Sequence, residues 1–244
     1  MKIQKIAFSM ENKPSQELLN ILKLYPSLSP MDRLKILLRL IFCVRPILTV
    51  LDQNLPKQGL ILDLGCGYGV ISHLISNINR KVIGIDVASH RIKVAKTSMD
   101  QKRNVEFYAT DIREFQAPTC DAIIIIDVLY LFSYQDQEQI LTKCYENLRN
   151  DGILAIKDSG KSPRWKYAYM YSEEWIKVKL GVYGDEVKKT KLNFWDSGDF
   201  IDLLSKIGFK ITMIPLESYL PYPGVLYTCQ KIEGSIVGAK HLHC

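Results

Sequence analysis

The chain has 244 residues, 47% of them hydrophobic and 24% charged, with a formal net charge of +6. This composition excludes a disordered chain, and the length suits one large α/β domain with small additions better than two full domains. The mild positive charge does not by itself indicate nucleic acid, and six cysteines (43, 66, 120, 144, 229 and 244) without a C-x-x-C pair indicate reduced thiols in a cytoplasmic protein, not a disulfide framework.

The first fifty or so residues read as helical segments broken by Pro14, Pro26, Pro30 and Pro46. Residues 1–10 carry lysines but no continuous apolar stretch, so a secretory signal is not expected. Residues 34–51 are strongly apolar yet include Lys35, Arg39, Arg45 and Pro46, which argues against a transmembrane span. Two readings stand for that segment: an amphipathic helix covering the core, or a basic apolar helix in weak contact with an anionic membrane surface.

From Gly59 short apolar runs alternate with helix-length amphipathic segments. Strands are expected over 60–64, 81–86, 105–108, 122–126 and 153–157, and helices over 70–79, 89–100 and 136–149. Strands apolar on both faces alternating with helices mean a parallel sheet clothed by helices, with all strand C-termini along one edge. Ligands bind at that edge, where the strand order reverses. After Lys157 the alternation stops. Residues 159–198 are long, aromatic and basic, which suits a lid or binding segment. A helix over 199–207 ends at Gly208, and strands over 209–215 and 225–230 follow as an antiparallel pair. The tail His241-Leu242-His243-Cys244 reads as an exposed end, and no metal site is expected.

The chemistry-bearing signal is Asp63-Leu64-Gly65-Cys66-Gly67-Tyr68-Gly69, which follows the first strand. Its glycines permit a tight turn and a close approach of backbone to ligand, and the next helix offers free N–H groups there. A second strand ends in Asp86, 21 residues after Gly65, where a carboxylate can accept both hydroxyls of a ribose. Val70 stands where a dinucleotide fingerprint needs glycine, and no lysine follows the glycines as a phosphate loop requires. Asp63 on the preceding strand would repel a pyrophosphate but hold an ammonium group. A ligand with a ribose, a cationic amine and no phosphate fits, and S-adenosylmethionine (SAM) is such a ligand.

On these residues the sequence resembles the class I SAM-dependent methyltransferase superfamily from about residue 59 to 158, and more loosely to 231. The resemblance implies a Rossmann-like, doubly wound α/β sheet of seven strands, mostly parallel with an antiparallel C-terminal strand, and N-terminal helices added. It divides the chain into an N-terminal helical cap (1–58), a SAM-binding domain (59–231, with 159–198 as substrate lid) and a tail (232–244). Asp63, Gly65, Cys66, Gly67 and Gly69 would hold the methionine end, and Asp86 with Val87 the ribose. Residues 104–112 resemble the adenine-contacting stretch, with Asp111 facing the exocyclic amine and Ile112 beside the ring. Asp111 alternatively reads as a helix N-cap. Residues 120–130 resemble the fourth strand and the loop under the sulfonium, which makes Asp127 a cofactor neighbour and nominates Asp127 and Tyr130 as nearest the reacting centre.

The implied activity moves a methyl group from SAM, leaving S-adenosylhomocysteine. Asp127-Val128-Leu129-Tyr130 lacks the proline pair of nucleic-acid amino methylators, so nucleic acid is disfavoured as acceptor. Aromatic residues in the lid, and nine basic against five acidic residues between Lys157 and Lys191, suggest a small hydrophobic or lipid-like acceptor, carrier-bound acyl chains included. The aromatics alternatively only pack the lid. A protein or RNA acceptor, and a non-catalytic SAM-binding sensor, are the competing readings. Oligomeric state is not legible.

Overall fold

The computed structural model describes Tyr25, Leu28, Arg33, Ile36, Leu37 and residues 45–97, 104–181, 190–216 and 224–232. Helix α1 (Arg45–Asn54) leads into β1 (Gly59–Leu64), α2 (Val70–Ile75), β2 (Arg80–Asp86), α3 (Ser89–Thr97), β3 (Val105–Ala109) and β4 (Cys120–Ile126). A 3-10 turn (Leu129–Leu131), α4 (Tyr134–Asn147), β5 (Leu148–Ser159), α5 (Arg164–Lys179), α6 (Ser197–Ile207), β6 (Phe209–Pro215) and β7 (Gly224–Lys231) follow.

The seven strands form one sheet in the order β3-β2-β1-β4-β5-β7-β6. The first five are parallel, and β7 runs antiparallel between β5 and β6. This is the expected Rossmann-like architecture. Ile123, Ile124, Ile125 and Ile126 of the central β4 are all buried, because helices cover both faces; each contributes roughly 1.5–3 kcal/mol of burial. One face holds Ile61, Val82, Ile124 and Ala155 with α1 and α2 residues; the other holds Leu62, Ile123, Leu154 and Ile156 with α4 and α6 residues.

Element boundaries depart from the expectation for local reasons. Helix α2 stops at Ile75 and not at 79, since the Asn77 side chain accepts from the backbone N–H of Asn79 and of Arg80, both at 2.9 Å, and turns the chain. Strand β5 begins at Leu148, inside the expected helix 136–149. Its pairing with β4 jumps from Cys120↔Leu148 to Ala122↔Ile153, and the intervening residues include Asp151 at φ 60. The buried Arg80 guanidinium donates to the carbonyls of Pro56 and Ile75 (2.9 Å each), tying β2 to the chain after α1 and to the end of α2.

Of the 34–51 segment, Ile36, Ile47, Val50 and Leu51 are buried in the first core cluster, and Leu48 packs against it. These apolar side chains are therefore used by the core. Residues 34, 35 and 38–44 lie outside the described residues, as does the 241–244 tail. Among the described residues, no helix is long and apolar enough to cross a membrane.

Candidate functional site

A cavity of ≈ 480 Å³ opens at the C-terminal edge of the sheet, within the range of small-ligand sites. Its lining comes from the ends of β1 (Gly65, Gly67), β2 (Asp86, Val87), β3 (Asp111, Ile112) and β4 (Ile126, Asp127, Val128). These ends meet where the strand order reverses between β1 and β4, the ordinary ligand position in such sheets. Leu131 and Phe132 after β4, and Lys191 and Asn193 before α6, close the other side.

The glycine turn is held by the acid that follows it. Asp86, buried at the end of β2, accepts from the backbone N–H of Gly67 (2.9 Å) and of Ala88 (2.8 Å), one on each carboxylate oxygen. Gly65 adopts φ 81, and a β-carbon there would meet Val128 at 2.3 Å, so the turn can pack under the β4 loop only as glycine. Gly67 adopts φ 57 with open space beside it, which leaves its backbone bare to the cavity.

Three expected contacts lie off the cavity wall. Gly69 precedes α2 at φ 73. Asp63 is buried behind the turn, where its carboxylate accepts from the Ser72 hydroxyl of α2 at 2.5 Å. Cys66 lies near both acids: burial, then Asp63 and Asp86, pushes its thiol well up. Asp63 and Asp86 therefore converge on one turn, but only Asp86 does so from the cavity side. The buried Tyr25 hydroxyl also donates to the Tyr68 carbonyl (2.7 Å), so part of the N-terminal region braces the same turn.

Asp111 and Ile112 both line the cavity. Burial opposes ionisation of Asp111, yet the Arg113 guanidinium, with contacts of 2.6 and 3.1 Å, and the Arg113 backbone N–H at 2.9 Å hold its carboxyl below the usual range. Asp111 thus holds a turn over 111–115, where the expected helix to cap does not form, and it also lines the cavity. Arg113 in turn lies 5.5 Å over the Phe132 ring, joining the two walls.

Asp127 lines the cavity in a left-handed conformation (φ 57), which Asp tolerates better than most residues. Its carboxylate is ion-paired with Lys157 of β5, and its N–H donates to the Lys157 carbonyl at 3.1 Å. Tyr130 does not reach the cavity. It is buried, stacked on Phe194 at 4.5 Å, and its hydroxyl donates to Glu174 of α5 at 2.9 Å. The expectation that Tyr130 stands nearest the reacting centre thus meets a phenol already engaged with α5.

Sequence reasoning missed two neighbours. Lys157 read only as the end of a strand. Asp158, one residue on, is 6% exposed and accepts from the Ser159 N–H at 2.6 Å. Burial drives its carboxyl up to about 7, with Asp127 adding to the rise and the Ser159 amide and Lys157 opposing it. An acid closing an otherwise apolar run was the available signal.

Within 159–198, Arg164–Lys179 form helix α5. Tyr167, Met170 and Val178 on α5 pack with Tyr130, Leu192 and Phe194, so the rings of Tyr167 and Phe194 serve packing, whereas Trp165, Tyr169 and Trp175 are exposed. Residues 182–189 lie outside the described residues.

Residues 61–152 match the family described as "Methyltransferase domain". The chain is 33% identical over 119 residues to a malonyl-[acyl-carrier protein] O-methyltransferase of Bacillus anthracis, covering 47% of this chain and 44% of that protein. It is 27% identical over 128 residues to a ubiquinone biosynthesis O-methyltransferase of Cereibacter sphaeroides, covering 52% of each. The chain thus spans about half the length of these curated relatives. Its fold is shared with magnesium protoporphyrin IX methyltransferase from Synechocystis solved with bound S-adenosylhomocysteine: TM-score 0.62 and 17% identity, covering 89% of this chain and 95% of that one. A SAM-dependent methyltransferase from Methanosarcina mazei gives a TM-score of 0.58 at 19% identity, over 75% of this chain and 97% of that one. The matched family region, residues 61–152, is similar to a methyltransferase domain and contains the glycine turn, Asp86 and the β4 end.

Proposed function

We propose that this protein binds SAM in the switch-point cavity and transfers its methyl group to a small hydrophobic or lipid-like acceptor, carrier-bound acyl chains included. The observation that carries the reading is the convergence of Gly65, Gly67, Asp86, Asp111, Ile112 and Asp127 on one cavity. The donor set suits the cofactor. Asp86 keeps acceptor capacity beyond its two backbone bonds for ribose hydroxyls, because an ionised carboxylate has about four lone-pair sites. The bare backbone at Gly67 admits a ligand closely. Asp111 offers a carboxylate to an exocyclic amine, and Ile112 an apolar surface to a ring.

When bound, SAM supplies an electrophilic methyl group on a good leaving group. What remains for the chain is to hold the acceptor in line and exclude water. Leu131, Phe132 and Val128 form a dry wall for this, and Lys191 supplies a positive group at the same cavity. Asp127, held by Lys157, is the polar group we assign next to the acceptor. The apolar wall, with Lys191 beside Arg91 and Arg113 in the same lining, supports an acceptor that is apolar with an anionic end. The names of the two curated relatives, acting on malonyl-[acyl-carrier protein] and in ubiquinone biosynthesis, support the same class.

Calorimetry with S-adenosylhomocysteine and NAD, followed by incubation of the full chain with methyl-labelled SAM and lipid, carrier-protein and RNA fractions, tests the reading. The expected outcome is S-adenosylhomocysteine binding and label in the lipid or carrier fraction. Binding of NAD alone would overturn the cofactor assignment, and label only in RNA the acceptor class.

A further inference from the structure

Helix α5 has two apolar sides where a lid needs one. Tyr167, Met170, Glu174 and Val178, three and four residues apart, form its protein-facing edge. Trp165, Tyr169, Ile176 and the C-capping Leu180 lie together on the other side, with Trp175 at its margin. These five side chains are 49–73% exposed, and they are five of the eleven large hydrophobic residues exposed among the described residues. A helix that only covers a protein core turns a polar face outward.

The charges on this helix are arranged to match. Its two acids, Glu173 and Glu174, are both ion-paired with Lys177, at 2.7 and 2.8 Å. The other charged residues of α5 are Arg164, Lys166 and Lys179, all positive. Lys166 lies 5.6 Å from the Trp165 ring and Lys179 lies 5.9 Å from the Trp175 ring. Indoles flanked by lysines, on a helix too short and too charged to span, form the chemistry of a helix lying in the plane of a bilayer interface, with apolar groups in the acyl boundary and cations on the headgroups.

We propose that α5 docks this protein onto the surface of an anionic phospholipid bilayer. The inner edge of the same helix packs on the loop that follows β4, since Glu174 accepts from Tyr130, and the next residue of that loop, Leu131, lines the cavity. Docking on the outer edge thus sets the helix against the lipid phase, with the Tyr130 loop packed on its inner edge. This goes beyond the proposed methyl transfer and does not depend on it: vesicle binding is read without cofactor or acceptor, so either proposal can fail alone.

Flotation of the full chain with vesicles of phosphatidylcholine, and of phosphatidylcholine mixed with phosphatidylglycerol, tests it. The wild type is expected to float with the mixed vesicles at low salt and to stay down with phosphatidylcholine alone. Trp165→Ser with Ile176→Ser is expected to weaken binding at least ~10-fold, and Lys166→Gln with Lys179→Gln by ~5-fold per lysine, both with unchanged melting temperature. Lipids brominated along the acyl chain are expected to quench wild-type tryptophan fluorescence, a reading that needs no variant. Failure to float, floating undiminished in the apolar double variant, absence of quenching, or a wild-type dimer that the double variant dissolves (the face then covered by a second copy) would each overturn the proposal.

Discussion

Replacing Asp158 with asparagine should change how stability depends on pH, and the size of the effect follows from its surroundings. In the unfolded chain the carboxyl titrates near its ordinary value of 3.8; folded, burial drives it up to about 7. Between those values the folded state holds a proton that the unfolded state has lost, so stability falls as pH rises through that window and levels off above it. At 1.36 kcal/mol per pH unit the full difference is about 4 kcal/mol. Asparagine keeps the shape and can still accept from the Ser159 N–H, but it carries no charge to desolvate. The variant should therefore be about 2–4 kcal/mol more stable than the wild type at pH 8 and no more stable at pH 4. Urea unfolding of both proteins from pH 4 to 8.5 measures this, provided their m values agree, and contributions from all other groups cancel in the difference. A difference that stays flat with pH would refute the reasoning. It would mean that the carboxylate is ionised throughout, the Ser159 amide and Lys157 outweighing burial.

Three further substitutions separate the roles assigned to the site. Asp86→Asn turns one acceptor into a donor facing the N–H of Gly67 or of Ala88; S-adenosylhomocysteine affinity should fall by roughly 2–4 kcal/mol in calorimetry, and an unchanged affinity would remove Asp86 from the ribose role. Gly65→Ala should lower the melting temperature by driving its methyl into Val128, and adding Val128→Ala should recover part of the loss; no recovery would mean that backbone conformation, at φ 81, is the whole cost. Tyr130→Phe removes a buried donor from Glu174 and should cost about 1–3 kcal/mol of stability with kcat intact. A fall in kcat at unchanged stability would instead return Tyr130 to the acceptor.

What the sequence by itself determined is the part of this protein written in local terms. The sheet was legible because apolar runs of strand length and amphipathic stretches of helix length alternate within windows of ten or so residues. The glycine turn with Asp86 was legible because backbone freedom and strand-end placement are set by spacing along the chain. The limits of α2 and β5 were less so, since the Asn77 turn and the β4–β5 irregularity compete with propensity over one or two residues.

Tertiary structure alone decided which side of the turn each acid occupies and what each functional side chain touches. Asp63 turns to Ser72 and Asp86 to the cavity, although both end or nearly end a parallel strand. Asp127 meets Lys157 thirty residues on, and Tyr130 meets Glu174 forty-four residues on. Such pairings depend on how the β4 loop, β5 and α5 come together in space. The period of an amphipathic helix identifies an apolar face, but only packing reveals that α5 carries a second one and leaves it exposed.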